Sequence, residues 1–172
     1  SDNKIYWRKL DAGSMTWGSE YSTSYQSYLS PVLASSREDY YGPDDAYLLL
    51  VYGRLSDSRI AFRKFDPVNN IFGSEYLAGN MDQSPTTLTM PGASIFRDRI
   101  HIAATGFGGN IFYLSCPLPC NYSTNWTRFV QQDPGVTGGL VLDNYGPYDG
   151  YLYLYHRLSS SYQVARRDKL SE

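Results

Sequence analysis

Stretches in which apolar and polar residues alternate loosely recur along the chain at a nearly constant spacing. The first covers residues 4–11, and related stretches cover residues 59–66, 110–116 and 161–168, so that successive copies begin 55, 51 and 51 residues apart. Alternation with a period of two is typical of a β-strand that buries one face. A spacing near 50 residues indicates a supersecondary unit that is repeated along the chain.

A turn and a further strand follow each of the first two copies. Residues 11–14 and 66–70 contain Asp, Gly, Asn and Pro, which favour turns. Each turn leads into nearly the same five residues, Trp-Gly-Ser-Glu-Tyr at 17–21 and Phe-Gly-Ser-Glu-Tyr at 72–76. The two segments therefore predict β-hairpins, and their match indicates a true internal repeat.

Two more strands complete the predicted unit. One starts at a Ser-Pro pair in residues 30–35, with counterparts in residues 84–89 and 133–142, and proline is tolerated at the first residue of a strand. The other is apolar and follows a turn, in residues 47–52, 99–104 and 151–155. We expect these two strands to be buried and the outermost strand to carry the polar residues.

The pattern predicts an all-β protein, because no window shows the 3.6-residue apolar period of a helix. Four antiparallel strands in each repeat are the signature of a β-propeller blade. We predict a single domain over residues 1–172, with a partial repeat at 1–26 and repeats at 27–79, 80–132 and 133–172. These amount to about three four-stranded units and an extra N-terminal strand. Such a body could close on itself, pair with a second chain as a homodimer that completes the ring, or be a fragment of a longer chain.

Composition narrows the function classes. The 172 residues can bury a sizeable core. The net charge of −2, without a cluster of Lys and Arg, gives no basis for nucleic-acid binding. No apolar run approaches the roughly 18 residues of a membrane span, and no signal peptide is evident. The 17 Tyr, 7 Phe and 3 Trp favour strands and are typical of adaptable binding surfaces.

Two cysteines and two glycosylation sequons lie close together. Cys116 and Cys120 enclose three residues, and they could form a small disulfide loop or remain free thiols. Asn121 and Asn125 each begin an Asn-x-Ser/Thr sequon, which marks a surface loop in a secreted protein. Together these features favour a secreted, extracellular protein. Neither of the two histidines sits at ligand spacing, so we predict no metal and no cofactor.

The combined pattern resembles blades of sialidase-like β-propellers and of fungal or bacterial lectin β-propellers. The resemblance is carried by the Ser-Pro strand at 30–34, by residues 56–63, and by the turn that leads into Trp/Phe-Gly-Ser-Glu. Residues 11–17 are similar to the Asp-box hairpin of those folds, with one residue more between Gly and Thr. The resemblance covers most of the chain. It implies a propeller and, as in fucose-type lectins, sugar sites between adjacent blades built from Arg, Glu and Trp.

The resemblance implies candidate ligand-binding residues in two units. The matching positions are Arg8, Trp17 and Glu20 in the first unit and Arg63, Phe72 and Glu75 in the second. In the third unit Leu114 replaces the arginine and no Gly-Ser-Glu follows Trp126, so an equivalent site is not expected there. Trp7, Trp17 and Trp126 are the candidate platforms for sugar rings.

Each candidate also has a structural interpretation. The tryptophans could pack in the core between sheets. The arginines, together with Lys9 and Lys64, could contact an acidic ligand or could be solvated charges that blunt edge pairing. The glutamates could simply pair with the arginines across the hairpins. Tyr41 and Tyr145 precede Gly-Pro turns and are interpreted as residues that pack those turns.

The sequence favours a carbohydrate-binding, lectin-like module that recognises a glycan or glycoprotein, and it favours a binding module over an enzyme. A protein-interaction scaffold with a Tyr-rich rim and a sialidase-like or other glycoside-hydrolase domain are the alternatives. A sialidase-like site would need several Arg, a Tyr nucleophile with an acid partner, and an Asp. Nearly equivalent repeats do not concentrate such groups at one place, and no nucleophile elbow or phosphate loop is present.

Overall fold

All regular secondary structure in the described part of the chain is β-strand. The computed structural model describes residues 2–36, 48–66, 68–79, 87, 89–106, 110–120, 126–131, 141–144 and 152–155. The strands are β1 Lys4–Trp7, β2 Leu10–Asp11, β3 Thr16–Trp17, β4 Tyr21–Gln26, β5 Val32–Ser35, β6 Leu48–Gly53, β7 Ile60–Asp66, β8 Ile71–Phe72, β9 Tyr76–Leu77, β10 Gly92–Phe96, β11 Arg99–Thr105, β12 Ile111–Pro117, β13 Thr127–Gln131, β14 Val141–Asn144 and β15 Leu152–Tyr155. The prediction of an all-β fold is therefore confirmed for these residues.

The strands form antiparallel sheets whose order follows the chain. The first unit consists of two ribbons, β1 with β4 and β2 with β3. The second unit is the sheet β5-β6-β7, which β8 and β9 extend by pairing with different parts of β7. The third unit is the four-stranded sheet β10-β11-β12-β13, and the fourth is the hairpin β14-β15. Most neighbours in a sheet are also successive strands in the sequence, as in a β-meander.

The hairpin turns of the first and second units are built in the same way. The carboxylate of Asp11 accepts hydrogen bonds from the N–H groups of the second and third residues after it, at 2.8 and 3.0 Å. Asp66 does the same at 2.9 and 3.1 Å. The fourth residue after each aspartate, Met15 or Asn70, has a positive φ of 55° or 59°. Local aspartate–backbone bonds therefore define both turns.

The Gly-Ser-Glu segment of the second unit forms a β-bulge. Phe65 lies opposite Phe72, whereas Phe62 lies opposite Tyr76, so one strand holds an extra residue between the two pairs. The first unit has the same shift between its two ribbons. The pairing of β12 with β13 in the third unit is continuous. A bulge twists the strand and redirects a side chain, and in the first two units that side chain is the glutamate.

Successive units pack face to face and share three apolar clusters. Strand β7 contributes to two of them, because its side chains alternate between its faces. Ile60 and Phe62 pack with Ile100 and Leu114 of the third unit. Ala61, on the other face, packs with Ile5 of the first unit. Another cluster joins the third unit to Leu152 and Leu154 of the fourth. The second, third and fourth units approach one another most closely at the first strand of each sheet. Strand β10 of the third unit contacts both β5 of the second unit and β14 of the fourth.

The first strand of the third unit starts later than predicted. By sequence, the Ser-Pro pair near residue 30 is expected to correspond to the pair at 84–85. In the structure, the hydroxyls of Ser27 and Thr87 each donate to the carbonyl two residues further on, at 2.6 Å. This shared turn places Pro91, and not Pro85, in the position of Pro31, and β10 follows it. The connection into the third unit is longer, which a comparison at constant spacing cannot detect.

Burial of the predicted inner strands is only partly confirmed. Strands β6, β10 and β11 are largely buried. Strand β5 is not, and Leu33 remains 56% exposed. Leu33 lies on the face of its sheet that points toward the first unit. Because the described first unit has no strand corresponding to β5, nothing in it covers that position.

The described sheets form an open series and do not close into a ring. At the N-terminal end, Tyr6, Leu10 and Trp17 remain exposed. The fourth copy of the repeat at 161–168, the turns at Tyr41 and Tyr145, and most of the last predicted repeat lie outside the described residues. The predicted repeat boundaries therefore stay predictions. Within the described chain, no helix has the length and apolar character needed to cross a membrane.

Candidate functional site

The first and second units each contain an arginine–glutamate pair at equivalent positions. Arg8 and Glu20 approach to 3.0 Å, and Arg63 and Glu75 approach to 3.2 Å. The interpretation that the glutamates pair with the arginines across the hairpins is confirmed. The surroundings differ sharply, because the side chains of the first pair are 51% and 50% exposed and those of the second are 12% and 27% exposed.

The second pair is covered by the first unit. The ring of Tyr25 lies over the guanidinium of Arg63, with 3.3 Å between the guanidinium carbon and the ring centroid. The Tyr25 hydroxyl donates a hydrogen bond to the carbonyl of Phe72 at 2.9 Å. Trp7 meets Phe65 and Phe72 edge to face, at centroid distances of 5.4 and 5.9 Å. Trp7 is therefore part of the junction between the two units.

A hydrogen-bond network surrounds the covered pair. Arg63 donates from Nε to the Tyr52 hydroxyl at 2.9 Å and from Nη1 to the carbonyl of Gly73 at 2.7 Å. The Tyr52 hydroxyl donates to Glu75. Arg54 donates to the other oxygen of Glu75 at 3.1 Å. The carboxylate is therefore held by three donors, which suits the ionised form.

The electrostatics of the cluster favour an ionised Glu75 and a neutral Tyr52. Burial raises the pKa of Glu75, but hydrogen bonds from Tyr52 and Arg54 and the charge of Arg63 outweigh it and leave the pKa below the ordinary value. Burial, reinforced by the bond to Glu75, raises the pKa of Tyr52. A tyrosine nucleophile needs activation and access to substrate, whereas Tyr52 is 1% exposed. Among the described residues, the neighbours of Tyr52 therefore leave its hydroxyl without access to a substrate.

The first pair lies on an open face of the first unit. Register and alternation place Tyr6, Arg8, Leu10 and Trp17 on one side of the sheet, together with Glu20. Trp17 is 65% exposed, whereas Phe72, its counterpart in the second unit, is 5% exposed. The interpretation that Trp17 packs in the core is wrong for the described chain. The reason is that no described sheet lies on this side of the first unit.

A cavity of about 250 Å³ lies between the second and third units. It is lined by Leu49, Phe62, Lys64, Ser74, Tyr76, Leu118, Pro119 and Cys120. The rings of Phe62 and Tyr76 are 5.6 Å apart. Trp126 is half-buried and meets Phe62 edge to face at 5.7 Å, so it supports the apolar wall of this region.

A disulfide loop forms one side of the cavity. The sulfur atoms of Cys116 and Cys120 are 2.08 Å apart, so the disulfide alternative of the sequence analysis is the one found. The N–H of Leu118 donates to the carbonyl of Asp98 at 2.7 Å, which ties the loop to the β10–β11 turn. The bond and this tether restrict the loop at the cavity wall.

Three polar cavity residues were not ranked as candidates by the sequence analysis. Lys64 was considered only with Arg63, and Ser74 and Tyr76 were treated as parts of the Gly-Ser-Glu-Tyr strand. Strand alternation could have indicated them, because Lys64 and Phe62 are two residues apart and therefore share a face. That face meets the third unit, whereas Arg63 faces the first.

The third unit has no arginine–glutamate pair at the equivalent junction. Leu114 replaces the arginine as expected and is fully buried against the second unit. Ala104 occupies the position of Tyr52 and is also buried. An apolar core thus replaces the polar network at this position.

The remaining predicted sites gain no support from the described residues. Asn121 and Asn125 lie outside them. Among those that are described, no group of three or more His, Cys, Asp or Glu residues could hold a metal ion. Comparison with known proteins finds no family model that matches the chain and no curated protein that matches it.

Proposed function

We propose that this chain is a β-propeller-type carbohydrate-binding module and that it holds a sugar in the cavity between the second and third units. The observation that carries the proposal is the cavity itself, where aromatic rings and polar groups meet at a junction between repeated sheets. The convergence of β5, β10 and β14 supports a radial, propeller-like arrangement. The disulfide supports an extracellular location.

The lining suits a sugar ring. Tyr76, Leu118 and Pro119 offer apolar surface for the C–H face of a sugar, while Ser74 and Lys64 offer hydrogen-bonding groups at the mouth. The cavity is slightly smaller than the lower end, about 300 Å³, of pockets that hold drug-sized ligands. A ligand that inserts a single sugar unit is therefore the best fit.

The charge of the lining favours an acidic sugar. Lys64 is the charged residue among the described groups that line the cavity, and its ammonium can donate to a carboxylate or sulfate. Arg63 and Glu75 stay candidates from the sequence, but their coverage by Tyr25 disfavours direct contact with a ligand.

A glycan array with neutral and acidic sugars tests the proposal. We expect acidic glycans to bind, Lys64→Ala to weaken binding at least tenfold and Ser74→Ala to weaken it about fivefold, as loss of a charged and of a neutral hydrogen bond does. The matched controls are Lys9→Ala and Ser19→Ala, the same positions in the first unit, which line no part of this cavity.

The possible outcomes test the lectin proposal, the location of the site and the role of Lys64 separately. Absence of any glycan signal at high protein loading would remove the lectin proposal. Binding that Lys9→Ala weakens as much as Lys64→Ala would move the site away from the cavity. Preferential binding of neutral sugars would retain the module but reject the role of Lys64.

A further inference from the structure

One face of the first unit is exposed although its counterpart in the second unit is covered. This outer face consists of Tyr6, Arg8, Leu10, Trp17 and Glu20. The corresponding positions in the second unit are Ala61, Arg63, Phe65, Phe72 and Glu75, and each of them is buried or half-buried at the junction with the first unit. The same motif therefore occurs once with this face exposed and once with it covered.

The covered copy of the motif, in the second unit, indicates what kind of surface could bind the exposed copy in the first unit. The second unit is covered by the opposite face of the first sheet, through Ile5, Trp7 and Tyr25. Arg63 is already paired with Glu75, so its cover is an aromatic ring and not an opposite charge. Arg8 is likewise paired with Glu20. The outer face is thus suited to an aliphatic and aromatic sheet face, not to a charged partner.

The fourth unit, at the other end of the series, has one face packed on the third unit and one face that points away from it. Leu152 and Leu154 of the fourth unit are buried against the third unit. Val141 lies opposite Tyr155 in the pairing of β14 with β15, so it is on the other face of the hairpin from Leu154. Its side chain is 50% exposed. The described stack therefore begins with an exposed face, and Val141, the one described side chain on the far face of its last sheet, is exposed as well.

We propose that the outer face of the first unit docks the fourth unit of a second copy of this chain. Such a contact is head to tail and continues the stacking already made between successive units. Head-to-tail contacts form a ring when the rotation closes. Two stacks of four sheets would give about eight, within the range of four to eight blades typical of propellers. This interface is independent of the proposed sugar site.

Sedimentation velocity over a wide range of concentration tests the interface. We expect a reversible dimer of the full chain. Trp17→Glu is expected to raise the dimer dissociation constant about 30-fold or more, as loss of a central interface aromatic does. The matched control is Val68→Glu, at an exposed turn position of the second unit, which should leave the dimer intact.

A second measurement uses the wild-type chain and therefore does not require that a variant folds. Amide hydrogen exchange of the wild-type chain should slow at residues 6–20 on passing from dilute to concentrated protein. A chain that stays monomeric at every concentration overturns the proposal. In that case, strong protection of residues 6–20 would indicate closure by the chain's own C-terminal part, and weak protection would leave the face open to a different partner. A dimer that Trp17→Glu does not weaken places the interface elsewhere.

Discussion

Tyr25 stacks on Arg63, and this contact joins two units whose strands belong to separate sheets. The guanidinium lies 3.3 Å from the ring centroid, within the range of a cation–π interaction. Arg63 also bonds Glu75, Tyr52 and a backbone carbonyl. One side chain thus connects the first unit to the centre of the second.

The two arginines of the repeat should differ in their contribution to stability. Arg63→Ala is expected to lower the free energy of unfolding by about 2–3 kcal/mol, because it leaves partly buried groups without a partner. Arg8→Ala removes an exposed pair and should cost less than about 1 kcal/mol. Urea denaturation of both variants measures the difference. Equal losses would show that the cover by the first unit is absent in solution.

Acid should destabilise the protein through the junction network. The pKa of Glu75 is lowered in the folded state, and the hydrogen bond from Arg54 lowers the pKa of Asp57. Their stabilisation is present above the unfolded-state values, near about 4, and is lost as pH falls through the folded values. The free energy of unfolding should therefore decrease with falling pH below about 4. Glu75→Gln should flatten this dependence, and an unchanged slope would contradict the assignment.

Gly106 should not tolerate a side chain. A Cβ at this position would overlap ring carbons of Phe112, whereas a Cβ at Gly73 would meet only the carbonyl of Lys64, at 3.5 Å. Gly106→Ala is therefore expected to cost about 1–3 kcal/mol through overpacking, and Gly73→Ala should be nearly neutral. Thermal unfolding of the two variants compares them. A loss at Gly73 as large as that at Gly106 would contradict the described packing.

The turn of the first unit should be improved by glycine. Met15 has a φ of 55° and is 72% exposed, so it bears the cost of a left-handed conformation without a compensating core contact. Met15→Gly should stabilise the protein by up to about 1 kcal/mol. Asn70, at the same position in the second unit, tolerates this conformation better, and Asn70→Gly should gain less. The midpoints of chemical denaturation rank the two, and the reverse order would contradict the described turns.

Local features of the chain were predictable from sequence, and long-range ones were not. The hairpin of β7 with β8, the strand starting at Arg99, and the pairing of Arg63 with Glu75 involve neighbours along the chain or across one turn. The correspondence of Pro31 with Pro91 was missed because the connection between units varies in length. The stacking of Tyr25 on Arg63 was missed because it joins residues of different sheets.

The sequence by itself determined that the chain folds into repeated antiparallel hairpins, because alternation and aspartate turns act between near neighbours. It did not determine which copy of a motif is covered. Arg8 and Arg63 have similar local sequences and equivalent glutamate partners, yet only Arg63 has a described sheet packed over it. Burial depends on the neighbouring unit in space, so the tertiary structure alone decided which copy became a junction and where the cavity opened.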